Sequence, residues 1–155
     1  MVTIPAGALG EPTVFTVTPI QVKSPGGLRS FRLEPAEVSF AAPVTLSFGY
    51  LDDELEGSNA ATFSLVFQDG ERHWRRVDAR HNLDEKTLTT ETTRFSDWSL
   101  VRGARLLPGV ASVKVDGSLT FGLETCGFAL DGEAPLASSC SSVEPGKNPA
   151  VNGVR

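Results

Sequence analysis

The chain has little of what metal and acid–base chemistry need. Its 155 residues hold two histidines, two cysteines, one tyrosine and one methionine. Cys126 and Cys140 lie far from His73 and His81, which is not the ligand spacing of a zinc site. No Gly-x-Ser-x-Gly elbow occurs, and neither histidine has an acid in an obvious relay, so a hydrolase is not expected. No motif calls for a cofactor. Basic residues are outnumbered, 14 against 19 acidic, for a formal charge of −5. Phosphate contacts dominate nucleic-acid affinity, so nucleic acid is not an expected partner. No apolar run reaches the roughly 18 residues of a membrane-spanning helix. No segment shows good helical periodicity, and no internal repeat is evident.

What the chain does have is β-branched and aromatic residues punctuated by 15 glycines and 10 prolines, a composition that favours short strands and turns. The segment Thr87–Val101, TLTTETTRFSDWSLV, organises the rest. It reads as a strand, a break at Arg94-Phe95-Ser96-Asp97, and a closing strand Trp98–Val101. Upstream, Pro43–Leu51 puts Val44, Leu46 and Phe48 on one face, the mark of a half-buried antiparallel strand. In Thr62–Gln68 the same holds for Phe63, Leu65 and Phe67. Asp69-Gly70 marks a hairpin turn into His73–Val77, and Asn82–Lys86 marks a second turn. Shorter extended pieces are expected at Val2–Leu9, Pro12–Ile20, Phe31–Leu33 and Val38–Phe40, with a loop at Ser24–Gly27. Eight or nine short strands with turns between them predict an all-β antiparallel sandwich. A closed barrel is the runner-up.

Beyond Val101 the texture changes, which divides the chain into a sandwich over 1–102 and an extension over 103–155. Asp116-Gly117 predicts a hairpin at about 110–124, followed by a small, polar, loop-rich tail. Met1 is the only methionine and the end lacks a closing element, so both ends are expected to be cuts from a longer protein. Cys126 and Cys140 read either as a disulfide pair, if the parent is exported, or as two unrelated thiols.

Three pieces carry a resemblance: Val2-Thr3-Ile4-Pro5-Ala6-Gly7-Ala8, Pro43-Val44-Thr45-Leu46 and Arg94-Phe95-Ser96-Asp97-Trp98-Ser99-Leu100. In order and spacing, residues 2–102 resemble the ZU-five domain family, named for zonula occludens proteins and the uncoordinated-five netrin receptors. The likeness is greatest to bacterial versions in secreted or lipid-anchored surface proteins. The resemblance implies a β-sandwich and a role in protein–protein contact, as in ankyrins, where such domains bind spectrin. It implies an extracellular, periplasmic or cell-surface location. Some members cleave themselves at a His-Phe-Ser motif, where the serine hydroxyl attacks the preceding carbonyl. Here Phe95 and Ser96 match, but Arg94 replaces the histidine, and a guanidinium does not act as a base at neutral pH. Phe95 and Trp98 are therefore expected in the core, with Ser96 in a local hydrogen bond.

Two further clusters are candidates. Asp52, Asp53, Glu54 and Glu56 would offer oxygen to calcium, but their spacing is not that of an EF-hand loop, and a solvated acidic loop is the expected reading. Arg72, Trp74 and Arg76 share one face of a strand, with His73, Arg75 and Val77 on the other. An interaction patch centred on Trp74 is expected if its ring is exposed. A carbohydrate- or surface-binding role would need Trp74 or Tyr50 on a solvent-facing platform. The expectation is a non-catalytic structural or interaction module of an exported bacterial protein. Its partners would be other domains of the same parent or another protein.

Overall fold

The computed structural model describes residues 1–21, 27–127 and 139–143. Among these, twelve strands run in order: β1 (Val2–Thr3), β2 (Thr16–Ile20), β3 (Gly27–Glu34), β4 (Ser39–Gly49), β5 (Phe63–Gln68), β6 (Trp74–Val77), β7 (Arg80–Asn82), β8 (Thr87–Arg94), β9 (Asp97–Arg102), β10 (Ala104–Leu107), β11 (Gly122–Gly127) and β12 (Ser139–Val143). The only helices described are two single 3-10 turns, Asp53–Leu55 and Ala60–Thr62.

The all-β, antiparallel expectation holds, and among the described residues no barrel closes. One sheet has the order β1-β4-β8-β7 and faces a second with the order β2-β3-β9-β5-β6. The nine strands of the sandwich are thus split between two layers, and every pairing is antiparallel. The alternating residues of β4 and β5 point inward as their pattern predicts: Val44, Leu46, Phe48, Phe63 and Leu65 are all buried in one core. Leu88, Phe95, Trp98 and Leu100 join them from the organising segment. Burial of this kind contributes on the order of 1.5–3 kcal/mol per large apolar side chain.

Several boundaries differ from the sequence reading. Val38–Phe40 and Pro43–Leu51, read as separate pieces, join as β4. The chain passes Pro43 because the register with β8 shifts between Ser39 and Val44, and a proline without an N–H is tolerated where the ladder is interrupted. The β5–β6 connection is longer than a two-residue hairpin. Asp69 N donates to His73 O at 2.8 Å and Arg72 N to Asp69 O at 3.0 Å, with Arg72 at φ 67°. This is a turn followed by a left-handed residue, the common longer hairpin closure.

The hairpin expected at 110–124 is a correction. The turn exists, with Asp116 at φ 62° and Gly117 N donating to Lys114 O at 2.9 Å, but residues 110–121 form no strand, and 122–124 pair elsewhere. The apolar residues there, Val110, Val113, Val115 and Leu119, are exposed, so no packing rewards a ladder. Instead β10 pairs with β11 from Ala104↔Thr125 to Leu107↔Gly122, and β11 pairs with β12. This third sheet leaves the sandwich at Gly103, whose N–H donates to Thr62 O at 3.0 Å. The loop expected at Ser24–Pro25–Gly26 and the polar tail over 128–138 and 144–155 lie outside the described residues.

Candidate functional site

The Phe95-Ser96 step is the corner where the chain crosses from β8 in one sheet to β9 in the other. Phe95 is 2% exposed. Its ring meets Phe40 edge-on at 4.9 Å and Phe15 at 5.2 Å between centroids, the arrangement that aromatic quadrupoles favour. The Ser96 hydroxyl donates to the Gln68 carbonyl on β5, and Ser96 O accepts from Leu33 N at 3.0 Å. Both sides of the corner are therefore tied to neighbouring strands. The adjacent Asp97 receives a two-pronged bond from Arg32, Nε at 2.8 Å and Nη2 at 2.9 Å. The carboxylate holds the Arg32 proton more firmly than usual, through that hydrogen bond first.

Neither histidine reaches the hydroxyl. His73 sits at the β5–β6 hairpin, with Nδ1 3.5 Å from Glu71 Oε2 and 4.0 Å from Asp69 Oδ2. His81 is exposed on β7, where it pairs with Leu88 of β8 in the sheet that does not contain β9. Arg94, in the position the family motif gives to histidine, lays its guanidinium 5.3 Å from the centroid of the Phe67 ring. That contact is a cation–π interaction, not a proton relay. Among the described residues the non-glycine positive φ angles are at Arg72, Lys86 and Asp116, so the corner is not a strained turn.

Beside Arg94 a shallow groove of about 310 Å³ is lined by Pro43, Phe67, Val77, Glu91, Arg94 and Trp98. It carries one charge of each sign, which gives it no net preference for an anion or a cation. The Trp98 ring stacks on Phe67 at 5.3 Å. Its indole N–H is sealed from solvent and has no hydrogen-bond partner among the described residues.

The acidic loop is dispersed. Asp52 takes both of its bonds from Lys86 Nζ at 2.7 Å. Glu54 accepts from Arg29 Nε at 2.8 Å and from Leu51 N at 2.7 Å, while Arg102 Nη2 reaches its backbone carbonyl at 2.5 Å. Asp53 is exposed. The carboxylates face different cations, and among the described residues no three His, Cys, Asp or Glu side chains are placed to hold a metal. Burial lowers the proton affinity of Arg102, reinforced by Arg105 nearby.

The basic segment is also dispersed. Arg76 and Arg72 are exposed, but Trp74, expected as the centre of their patch, is only 7% exposed. It packs with Val66 and Val101 in a second, smaller cluster. Tyr50 is buried too, edge-on to Phe63 at 5.3 Å. The aromatic platform that an adhesin reading requires is therefore not formed by these two residues. Arg75, on the opposite face from Trp74, donates through Nε to Asp69 Oδ2 at 2.8 Å. That carboxylate also accepts from His73 N at 2.8 Å and Glu71 N at 3.0 Å. These bonds, Arg75 first, hold the Asp69 carboxyl below the usual aspartate range.

Sequence reasoning missed two ion pairs that only the folded arrangement reveals: Arg32–Asp97, directly opposite on β3 and β9, and Arg29–Glu54, which ties β3 to the 3-10 turn Asp53–Leu55. No described helix is long and apolar enough to cross a membrane. No protein-family model matches the chain, and no curated protein matches it.

Proposed function

We propose that this chain is a non-catalytic β-sandwich module of the ZU-five type, through which a longer bacterial surface protein makes protein–protein contacts. The observation that carries the reading is the placement of exposed apolar side chains. They concentrate in one stretch after the sandwich, where Leu106, Leu107, Val110, Val113, Val115, Leu119, Phe121 and Leu123 are all exposed, Val115 to 93% and Val110 to 75%. Scattered exposed apolar residues are ordinary, but a concentration of them marks an interaction surface. The Ser96 hydroxyl bonded to a backbone carbonyl, with Arg94 over Phe67, supports the non-catalytic half of the reading. A nucleophile of this kind requires a positioned base.

The test is sedimentation of the full chain over a range of concentrations, with binding of an apolar dye in parallel. Without its partner the native chain should self-associate and bind the dye. The double variant Val115→Asp/Phe121→Asp should do neither while keeping its far-ultraviolet spectrum. A strictly monomeric native chain that ignores the dye would remove the reading. The intact mass under denaturing conditions checks the other half: one species is expected, and two fragments meeting between Phe95 and Ser96 would make the domain autoproteolytic.

A further inference from the structure

The third sheet, β10-β11-β12, pairs β11 with β12 through five positions: Leu123↔Val143, Glu124↔Ser142, Thr125↔Ser141, Cys126↔Cys140 and Gly127↔Ser139. The chain has only two cysteines, and this register sets them directly opposite each other. Residues opposite in an antiparallel ladder have Cα atoms about 4.5–5.5 Å apart. That lies within the roughly 4.4–6.8 Å a disulfide spans. A slip of one residue would send the two positions to opposite faces of the sheet. The pairing thus depends on the register, whose other four pairs do not involve cysteine.

We propose that Cys126 and Cys140 form one intramolecular disulfide that staples the third sheet, and that this sheet is ordered only when the bond is present. The proposal does not rest on the functional reading above. It answers a shortage in the sheet itself. Leu106, Leu107 and Leu123, its large apolar strand residues with described side chains, all remain exposed, so burial gives this sheet far less than it gives the sandwich. Small units with too little core are commonly held by disulfides. The bridge sits one pair from the end of the ladder and closes the connection over 128–138, lowering the entropy of the unfolded chain.

The oxidant required is a small-molecule disulfide such as oxidised glutathione. One protein thiolate attacks it, forming a mixed disulfide and releasing one glutathione thiolate. The second protein thiolate then attacks the protein-side sulfur and releases the other. Two protein thiols and one oxidised glutathione give one protein disulfide and two reduced glutathiones, which carry off the two protons. Bridges of this kind persist in exported proteins.

The full chain, reduced and unfolded, is refolded in a glutathione buffer as oxidising as the endoplasmic reticulum lumen, quenched with a thiol alkylator, and mapped without reductant. The expected result is no label on either cysteine and one cross-linked peptide joining Cys126 to Cys140. Label on both cysteines, or a bridge between two copies, overturns the proposal. Amide exchange of the oxidised chain, before and after adding reductant, tests the staple. Reduction should speed exchange at 122–127 and 139–143 and leave β3, β5 and β9 unchanged. Cys140→Ser should match the reduced chain. Unchanged exchange in the third sheet would overturn the stapling role.

Discussion

Phe95→Ala tests whether the β8–β9 corner is a packing device. The ring is buried and meets Phe40 at 4.9 Å and Phe15 at 5.2 Å. Truncation removes its transfer free energy and leaves a cavity, a cost of ~3–5 kcal/mol. The two ring contacts supply about 0.5–1.5 kcal/mol each beyond buried area. A domain of this kind has only ~5–15 kcal/mol in total, so the variant should be folded but marginal. Urea unfolding should show a midpoint falling in proportion with little change in slope. Melting should drop by more than about 12 °C, at roughly 4–8 °C per kcal/mol. Phe95→Leu, which keeps much of the volume but loses both ring contacts, should lose less than Phe95→Ala, about 1–3 kcal/mol. Ser96→Ala removes one hydrogen bond to Gln68 O, worth ~0.5–1.5 kcal/mol. If Phe95→Ala lost less than about 1 kcal/mol, the corner would not be anchored by its ring.

Arg72 sits at φ 67°, a conformation that costs an ordinary residue roughly 1–2 kcal/mol. Arg72→Gly should therefore raise the urea midpoint by the equivalent of ~1 kcal/mol, and a lowered midpoint would refute the assignment of strain. A Cβ at Gly103 would meet Thr62 O at 2.7 Å. Gly103→Ala should thus cost ~1–3 kcal/mol, seen as a lower melting temperature. Asp69 has a depressed carboxyl, bonded first to Arg75. The stability it adds is present above the ordinary aspartate value near 4 and is lost as pH falls through the lower folded value. Asp69→Asn should be less stable at neutral pH and flatten the acid limb of the urea midpoint. Parallel limbs in variant and native chain would count against the linkage.

The inward faces were legible because alternation is a local signal. Val44, Leu46 and Phe48 needed no partner to be read as one face, and all three are buried. Trp74 was read on the correct face, with Arg76, but not at its true depth. Its face of β6 continues across β5 and β9 as Val66, Ser64, Ser99 and Val101, all buried. The signal was present in the absence of charge at those positions, since a solvated outer face would carry it on the central strands. It required knowing that β3, β9 and β5 are neighbours, and that order is a product of register. The 110–124 hairpin failed for the opposite reason. A turn dipeptide specifies a reversal of direction, while a ladder also needs an apolar face with something to cover it.

The same distinction bears on the Phe95-Ser96 step. The residue pair that resembles a cleavage motif is also what a crossing between two sheets requires. The first residue must turn inward, because β8 delivers it above the core, where Phe15 and Phe40 receive it. The second must satisfy a backbone group of the sheet it enters, and a short hydroxyl does so by donating to Gln68 O. The chain then pairs at once, Asp97 with Arg32 and Trp98 with Phe31 across β3. A reactive version would have to give up part of this: the hydroxyl to a base, and the ties of the corner to β3 and β5 to a strained turn that presents the Phe95 carbonyl. With arginine at position 94 its cation rests on Phe67, so the corner retains the packing that a cleaving site would have to relax. On the proposed reading, the crossing positions two sheets, and the apolar stretch beyond β10 is left to meet a partner.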